Sequence, residues 1–441
     1  MPKDDDRAVQ ALAENARPLG SAPSDLDGLL AAVEGADFVL LGEATHGTHE
    51  FYQLRCTITR RLVEEQGFDA VAVEADWPDA QRLNRFVRGI SEEHPREAFS
   101  DFQRFPTWMW RNTDVLALVE WMRGHNDGRG GAAVGFYGID LYSLYRSAEA
   151  VTEYLARSDP EAAERARRAY ACLDHVREPQ EYGFEAARGM RPDCGEAVRG
   201  LFERLEQERP HATGTGWSAA DEYFHAEMNA RLVANAERYY RSMYSRRGNT
   251  WNLRDEHMTD TVLALRDHLR ATGRRGRVVV WAHNSHLGDA RATEMGRQGE
   301  WNVGQLLRER AGTAAVYSVG FTTHTGHVTA AEDWGEPALH RWVRPSRPDS
   351  WEHLLHRTGL PAFWLPTAKV PAEVIGEERL ERAIGVIYRP DTERQSHYFG
   401  ASLGRQFDSI IHVDETTAVE PFDITEHWEQ REAPETWPTG L

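Results

Sequence analysis

The composition of the chain indicates a soluble globular protein. Of its 441 residues, 41% are hydrophobic and 27% are charged, which excludes a mainly disordered or fibrous chain. The 51 lysine and arginine residues against 70 aspartate and glutamate residues give a formal net charge of −19, which disfavours nucleic acid or an anionic membrane as the principal partner. Because a single core stops growing at about 250–300 residues, we expect a main domain and an additional helical lobe.

Short apolar runs rich in valine alternate with long amphipathic stretches along the chain. This alternation predicts an α/β fold with a largely buried, mostly parallel sheet. The predicted strands, with the last two as weaker candidates, are 37–41, 70–74, 133–138, 277–282, 314–319, 362–365, 384–388 and 409–413. Ligands of open α/β sheets bind at the carboxyl ends of strands, so these ends define a predicted cleft.

The strand pattern disappears between residues 144 and 272, where polar helical segments rich in arginine and glutamate follow one another. We interpret 144–272 as an inserted helical lobe and assign residues 1–143 and 273–420 to the α/β core. The longest helix of the lobe is predicted at 218–244, where Ser218 and Asp221 form a capping signal. Residues 421–441 are predicted to form a loosely held tail.

The first predicted strand leads into a loop that carries a carboxylate and an imidazole. Gly42 precedes Glu43, and His46 precedes Gly47. A strand fixes the geometry of such residues, while the loop lets their side chains face a cleft. His46 is the best candidate for a general base, because imidazole exchanges protons near neutral pH and a neighbouring carboxylate can orient it. The alternative is that Glu43 and His46 only cap the following helix.

The second predicted strand ends at Glu74. An unpaired carboxylate at the end of an apolar strand costs several kcal/mol if it is buried, so we expect Glu74 to pair with His46 or Arg55. Asp76, which lies two residues before Pro78, is the better candidate for the N-cap of the next helix.

Two histidines follow the strand predicted at 277–282. His283 and His286 could donate hydrogen bonds to an oxyanion, act as an acid and a base, or bind a metal, and their spacing does not choose among these roles. A single histidine is more often structural. Three strand ends that each carry such residues favour a functional site.

Three aromatic residues and one arginine are weaker candidates for substrate contacts. Trp108, Trp110 and Tyr142 combine aromatic walls with polar tips, although such residues more often belong to the core. Arg254 could reach across the predicted cleft to a carboxylate or a carbonyl. Its alternative is an ordinary surface arginine.

Several known mechanisms lack their motifs in this sequence. It contains no G-x-S-x-G elbow, no G-x-x-x-x-G-K-[ST] phosphate loop, no G-x-G-x-x-G after a strand and no H-E-x-x-H. Cys56 lies in an apparent amphipathic helix, which argues against a nucleophilic cysteine. Direct activation of water by a base is the chemistry that remains.

The three cysteines predict neither a disulfide framework nor a thiolate zinc site. Cys56, Cys172 and Cys194 are odd in number and form no C-x-x-C pair, so a reducing compartment is the simplest interpretation. No apolar signal segment follows the charged N-terminus, and no apolar run approaches the roughly 20 residues that span a bilayer. We therefore expect a cytoplasmic protein. The sequence indicates no particular oligomeric state.

Several of these motifs together resemble those of the erythromycin esterases and their esterase-like relatives, over nearly the whole chain. The matching segments are LGEATHGT (41–48) with Glu50 and Arg55, VEADW (73–77), NLRDEHM (252–258), WAHNSH (281–286) and RQSHYF (394–399). The resemblance implies a twisted sheet flanked by helices and a helical lobe that covers the cleft. It also implies hydrolysis of a macrolide lactone by water, without a covalent enzyme intermediate.

The resemblance also implies roles for individual residues. It assigns the general base to His46 and contributions to the site to Arg55 and Arg254. Four further side chains are grouped around the base: Glu43, Glu74, His283 and His286. We therefore expect an enzyme that needs no cofactor and that hydrolyses an ester or a macrolide-like natural product. One oxyanion donor typically contributes about 2.7–4 kcal/mol to such a reaction.

Three alternatives keep the same site but change its use. In the first, a divalent metal is held by His46, His283 or His286 and a carboxylate. In the second, the enzyme cyclises, eliminates or epimerises a natural product without hydrolysis. In the third, the protein binds such a compound without turnover. Resistance and biosynthetic roles are equally compatible with the sequence.

Overall fold

A computed structural model describes residues 2–129, 133–173, 176, 178–192, 194–208, 219–245 and 248–430. The strands in this part of the chain are β1 Arg17–Pro18, β2 Phe38–Leu41, β3 Ala70–Asp76, β4 Gly135–Asp140, β5 Val278–Trp281, β6 Val316–Ala330, β7 Leu339–Val343, β8 Ala362–Pro366, β9 Arg379–Arg382, β10 Tyr398–Ala401 and β11 Ser409–Thr416.

Helices connect most of these strands. They are α1 Pro2–Asn15, α2 Asp27–Ala32, α3 His49–Gln66, α4 Trp77–Val87, α5 Thr113–Asn126, α6 Leu144–Ser158, α7 Pro160–Tyr170, α8 Pro179–Ala187, α9 Gly195–Gln207, α10 Ala219–Ser242, α11 Thr250–Ala271, α12 Asn284–Leu287, α13 Glu294–Arg297, α14 Val303–Ala311, α15 Trp351–His356, α16 Ala372–Ile375, α17 Glu393–Ser396, α18 Leu403–Gln406 and α19 Glu426–Glu429.

The chain divides into two compact units. Unit 1 takes in the described residues of Met1–Gln66, Phe102–Leu118 and Val279–Leu441, and unit 2 those of Gly67–Asp101 and Val119–Val278. Each unit therefore contains segments from distant parts of the chain. We describe each unit separately.

Unit 1 contains strands in the order β1-β8-β11-β6-β2-β5, with β7 paired to β6. Both β2 and β11 run parallel to β6, with Leu41 opposite Val319 and Ile411 opposite Phe321. The pairs β1–β8, β8–β11 and β6–β7 are antiparallel. All four residues of β2, the sequence FVLL, are buried, as expected for a strand that is covered on both faces.

Unit 2 contains β3 and β4, which pair in parallel with Val71 opposite Phe136. Between Leu144 and Ala271 the described residues form helices α6 to α11 and no strand. Helix α10 buries an apolar stripe at helical spacing, as predicted: Phe224, Met228, Leu232 and Ala236.

The predicted α/β class, with a mixed and mostly parallel sheet flanked by helices, is confirmed. Seven of the predicted strands occur, as β2, β3, β4, β5, β6, β8 and β11. The strand predicted at 384–388 is wrong. Ile384 and Ile387 form only isolated bridges, with Thr45 and Ala331, because this apolar segment packs against two loops instead of joining a ladder.

Two predicted features fall partly outside the described residues. Ser218, the predicted cap of the longest lobe helix, lies outside them, and α10 is described from Ala219. The predicted tail is described only as far as residue 430, and it contains the short helix α19. The expectation that the helical lobe covers the cleft stays a prediction.

The expectation that the cysteines form no disulfide is wrong. Cys172 and Cys194 are joined by a disulfide, with their Cα atoms 5.9 Å apart across a separation of 22 residues. The odd number of cysteines leaves Cys56 as a free, buried thiol in α3. Spacing alone could not show this pair, because the packing of the lobe helices brings the two residues together. Across the described residues, no helix combines the length and the apolarity needed to cross a bilayer.

Candidate active site

The loop between β2 and α3 is held rigidly against β6. The Gly42 N–H donates to the carbonyl of Val319 at 2.9 Å, and the carbonyl of Gly47 accepts a hydrogen bond from the Thr329 N–H at 3.0 Å. A Cβ atom on Gly47 would lie 1.9 Å from the Thr329 carbonyl oxygen, so only glycine fits at this close approach. The loop therefore presents its side chains in a fixed orientation.

His46 and Glu43 form a buried hydrogen-bonded pair within this loop. The Nδ1 atom of His46 lies 2.8 Å from Oε1 of Glu43, and both side chains are at least nine-tenths buried. Because the carboxylate only accepts, we assign the proton to Nδ1 of His46. The Nε2 atom of His46 is then the lone-pair nitrogen, which is the state that a general base requires.

The other oxygen of Glu43 faces Arg55 from helix α3. The distance from Nη2 of Arg55 to Oε2 of Glu43 is 2.5 Å, and Arg55 is 0% exposed. Its guanidinium lies 4.5 Å from the ring centroid of Tyr52 and 4.6 Å from that of Trp281. A buried charge of this kind is tolerated when it is paired and enclosed by aromatic faces. Arg55 thus balances the negative charge that orients His46.

Tyr52 connects the same helix to the backbone of His46. Its hydroxyl lies 2.9 Å from the carbonyl oxygens of both His46 and Met109. Burial raises the pKa of Tyr52 well above its ordinary value, so the phenol stays protonated and serves as a donor. The loop of His46, helix α3 and the segment around Met109 are therefore held together by these hydrogen bonds.

His283 stands at the end of β5 and caps the short helix α12. Its Nδ1 atom accepts a hydrogen bond from the backbone N–H of Ser285 at 3.2 Å. The Nδ1 atom also lies 2.8 Å from Oγ of Ser285, whose hydroxyl can donate to it, so we assign the proton of His283 to Nε2. The rings of His46 and His283 have centroids 5.0 Å apart and are tilted by 52°. An acceptor nitrogen and a donor nitrogen are therefore carried by adjacent rings.

Asn284 joins the two loops that carry these histidines. Its backbone N–H donates to the carbonyl of Glu43 at 2.8 Å, and its side-chain amide exchanges hydrogen bonds with the backbone of Phe321. His286, two residues later, is 2% exposed within α12. The sequence predicted the position of both histidines, but the contribution of Asn284 becomes apparent only in the structure.

Trp108 and Trp110 are both buried in unit 1, so at most an edge of either indole is open to a ligand. The carbonyl of Trp108 accepts a hydrogen bond from the side chain of Asn112. Among the described residues, no group of three or more His, Cys, Asp or Glu side chains is arranged to hold a metal ion.

Unit 2 contains a separate charged cluster. Arg254 in α11 lies 2.6 Å from Glu74 and 2.7 Å from Asp140, so it pairs with two carboxylates. Its guanidinium is 5.1 Å from the ring centroid of Tyr142. Burial works against the charge, but Asp140, Tyr142 and Glu74 together raise the pKa of Arg254 well above its ordinary value. Arg254 is therefore part of a buried network and is no ordinary surface arginine.

Two carboxylates have partners other than those expected. We expected Glu74 beside His46 or Arg55, whereas its ion pair is with Arg254, and Glu43 supplies the carboxylate beside His46. Asp76 holds the N-cap position of α4 but makes no side-chain capping bond. Its Oδ1 atom instead accepts the backbone N–H of Tyr142 at 2.6 Å.

The sequence reasoning missed the two aromatic residues around Arg55. Tyr52 lies three residues before Arg55, which places both on one face of a helix, so a signal for this contact was present. Trp281 comes from β5, and no local pattern connects it with α3. Its indole N–H donates to the hydroxyl of Thr59 at 3.0 Å, which fixes the ring against the helix.

Comparison with known proteins gives consistent results. The erythromycin esterase family model matches residues 63–416. The chain is 22% identical to "Putative hydrolase YbfO" of Bacillus subtilis (strain 168) over 431 residues, which cover 91% of this chain and 90% of that protein. It is 24% identical to "Erythromycin esterase type II" of Escherichia coli over 400 residues, which cover 87% of this chain and 90% of that protein.

Two solved structures share the fold. A succinoglycan biosynthesis protein superposes with a TM-score of 0.76 at 22% identity, over 95% of this chain and 99% of that one. An erythromycin esterase mutant in its open conformation superposes with a TM-score of 0.65 at 20% identity, over 92% and 98%. At these identities the structures establish the fold, and the family model matches most of the sequence. The chain therefore belongs to the erythromycin esterase family.

Proposed function

We propose that this protein is a hydrolase that cleaves a carboxylic ester or a macrolactone with a water molecule activated by His46. The observation that carries the proposal is the pair between Nδ1 of His46 and Glu43, backed by Arg55. The carboxylate holds the imidazole in the tautomer with a free acceptor nitrogen and stabilises the imidazolium that forms when a proton is taken up. Family membership supports ester hydrolysis as the reaction class.

The proposed reaction needs one base and one oxyanion donor. His46 Nε2 takes a proton from water as the water oxygen attacks the carbonyl carbon, and the carbonyl π electrons move onto its oxygen. The Nε2–H of His283 donates to this developing oxyanion. As the intermediate collapses, the C–O bond to the alkoxide breaks, and His46 returns the proton to the leaving oxygen. A lactone gives a hydroxy acid. No covalent bond forms between the enzyme and the substrate.

The remaining predicted residues have supporting roles in this proposal. Arg254, held by Glu74 and Asp140, is a fixed cation of unit 2 that can bind a carbonyl or carboxylate. Tyr142 packs against this cation, and Trp108 and Trp110 support the segment to which Tyr52 is bonded. His286 is buried in α12, and its backbone N–H donates to the carbonyl of His283 at 3.0 Å.

The test is mass spectrometry of the products from a panel of macrolides and simple esters in ¹⁸O-labelled water. We expect wild-type protein to add one labelled oxygen to the acid product. His46→Asn should reduce turnover by about 10²–10⁴-fold, the usual contribution of a general base. The matched control is His49→Asn. His49 also contacts a carboxylate, Asp114, at 2.8 Å, but its side chain is more exposed, so this variant should keep wild-type turnover.

Four outcomes would contradict the proposal. Wild-type rates in His46→Asn would exclude His46 as the base. Loss of turnover on chelation, restored by a divalent metal, would replace direct activation of water with the metal-dependent reaction. A product that forms without labelled oxygen would identify a cyclisation, elimination or epimerisation, and tight binding without product would identify a binding protein.

A further inference from the structure

Unit 1 contains a cavity of about 340 Å³ that the proposed chemistry does not use. Three segments form its wall, which are 103–111, 335–338 and 421–425. Small-molecule sites in proteins usually occupy about 300–1,000 Å³, so this cavity has the size of a site for one small ring and is too small for a macrolide. The residues that carry the argument are Phe105, Trp108, Arg111, Pro337, Pro421 and Asp423.

Flat apolar groups line much of the cavity. Phe105, Trp108, Pro337 and Pro421 all contribute to the wall. Next to the wall, Trp334 is 61% exposed, and its ring meets that of Phe105 edge to face with centroids 5.0 Å apart. An indole so exposed beside a cavity offers an apolar face to a ligand, and the other tryptophans among the described residues are less exposed.

The polar part of the wall contains both donors and acceptors. Arg111 Nη2 lies 2.9 Å from Oδ2 of Asp423, so the only basic residue of the wall is neutralised by a carboxylate. Glu336 also lines the cavity and leaves an excess of negative charge. An anionic ligand would therefore be repelled. The chemistry fits a ring without an acidic group that has an apolar face and several hydroxyl groups at its edge.

The cavity wall is bonded to the loop of the proposed base. The Tyr52 hydroxyl, which contacts the carbonyl of His46, also contacts that of Met109, the neighbour of Trp108. On the other side, the Phe422 N–H donates to the carbonyl of Arg111 at 2.8 Å, and Asn112 bridges to Pro421. The segments 103–111 and 421–425 of the wall are thus held through their backbones, and neither depends on a single flexible side chain.

We infer that this cavity is a binding site for a pyranose without an acidic group, the sugar substituent of the ester that the enzyme hydrolyses. The assignment of the sugar to the substrate rests on the proposed function, whereas binding of the sugar does not. Contacts to such a non-reacting part supply binding energy that positions the ester at the base. The site would therefore select glycosylated esters over the same esters without the sugar.

The first experiment measures direct binding, with the full-length protein and a panel of methyl pyranosides as probes. We expect saturable quenching of tryptophan fluorescence, with the corresponding methyl glucuronide binding at least about tenfold more weakly because of its carboxylate. Trp334→Ala and Asp423→Asn should each weaken binding by about tenfold or more. Both side chains are largely exposed, so neither change threatens folding.

Trp301→Ala is the matched control, since Trp301 is also a partly exposed tryptophan of unit 1 but does not line the cavity. It should bind the pyranosides with wild-type affinity. Absence of saturable binding for every pyranoside, or equal affinity in Trp334→Ala and Trp301→Ala, would overturn the assignment. Stronger binding of the glucuronide would contradict the exclusion of acidic sugars from the cavity.

The same variants separate this inference from the proposed function. His46→Asn should bind the pyranosides with wild-type affinity although it lacks turnover. If pyranosides bind and no ester is hydrolysed, the sugar site stands and the hydrolase proposal fails. If esters are hydrolysed and no pyranoside binds, the hydrolase proposal stands and the sugar site fails. If pyranosides bind and esters are also hydrolysed, Trp334→Ala should raise KM for glycosylated esters and leave KM for unglycosylated esters unchanged.

Discussion

The Oε1 atom of Glu43 lies 2.8 Å from Nδ1 of His46, three residues later in the same loop. The other oxygen of this carboxylate is 2.5 Å from Arg55, which is enclosed by two aromatic rings. One buried carboxylate therefore has two tasks, since it orients an imidazole and neutralises a guanidinium. Substitutions of Glu43 and of Arg55 separate these two tasks.

Glu43→Gln should reduce kcat by about 10²-fold, because the amide can no longer stabilise the imidazolium that forms on His46. The measurement is kcat and KM for an ester of the test panel, at a temperature where thermal unfolding shows the variant to be folded. Glu50→Gln is the control from the same segment, since Glu50 bonds to Thr417 at an exposed position. Equal kcat values for the two variants would remove Glu43 from the mechanism.

Arg55→Met should destabilise the fold by about 3–5 kcal/mol, because it leaves the Glu43 carboxylate buried without its cation. The double variant Arg55→Met with Glu43→Gln removes both charges and should regain much of this loss. Urea denaturation of the wild type, the two single variants and the double variant measures the coupling. A double variant less stable than Arg55→Met would show that the ion pair is not the cause.

Stability should fall as the pH rises from about 4.5 to about 8 because of a carboxyl group near Asn284. Glu381 is fully buried, its Oε1 atom lies 3.4 Å from the amide of Asn284, and burial, followed by the charge of Glu352, raises the pKa of Glu381 to about 8. A folded-state pKa above the ordinary value means that the native state holds this proton more tightly. The stabilisation is therefore complete at low pH and is lost as pH rises through about 8.

Glu381→Gln keeps the shape of the protonated acid but does not titrate, so its free energy of unfolding should decline less between pH 6 and pH 9. Denaturant titrations at several pH values measure the two slopes. Parallel pH profiles for wild type and variant would disprove the role of this group.

Gly47→Ala should cost about 1–3 kcal/mol of stability or more, since its Cβ would lie 1.9 Å from the Thr329 carbonyl oxygen, a backbone atom that cannot move aside. Gly124→Ala is the matched control. Gly124 lies in α5 with nothing within 4 Å of a built Cβ, so alanine should stabilise that helix by up to about 1 kcal/mol. Thermal unfolding of both variants decides, and equal melting temperatures would count against the tight contact at Gly47.

Thiol counting tests the disulfide in the helical lobe. In denaturant without reductant, a maleimide should label one thiol, Cys56, and after reduction it should label three. Reduction should destabilise unit 2 by about 3 kcal/mol, the loss expected for a closed loop of this length. Three reactive thiols in protein from an unreduced extract would contradict the disulfide and favour the reducing, cytoplasmic environment predicted from the sequence.

Much of the fold could be predicted from the sequence by itself. The apolar runs at β2 and β5 lead into the loops that carry His46 and His283, and both placements follow from local pattern, because strand periodicity and glycines act over a few residues. The spacing of Glu43 and His46 is also local. Family membership was likewise readable from the motifs.

Only the tertiary structure decided which of these residues meet. His46 and His283 have ring centroids 5.0 Å apart because β2 and β5 are neighbours in the sheet of unit 1. Glu43 and Arg55 meet because α3 packs back along that sheet, and the partner of Glu74 turned out to be Arg254. Pairings between distant segments depend on sheet order, helix packing and the need to neutralise every buried charge. Those conditions are properties of the whole fold and cannot be read from any short stretch of sequence.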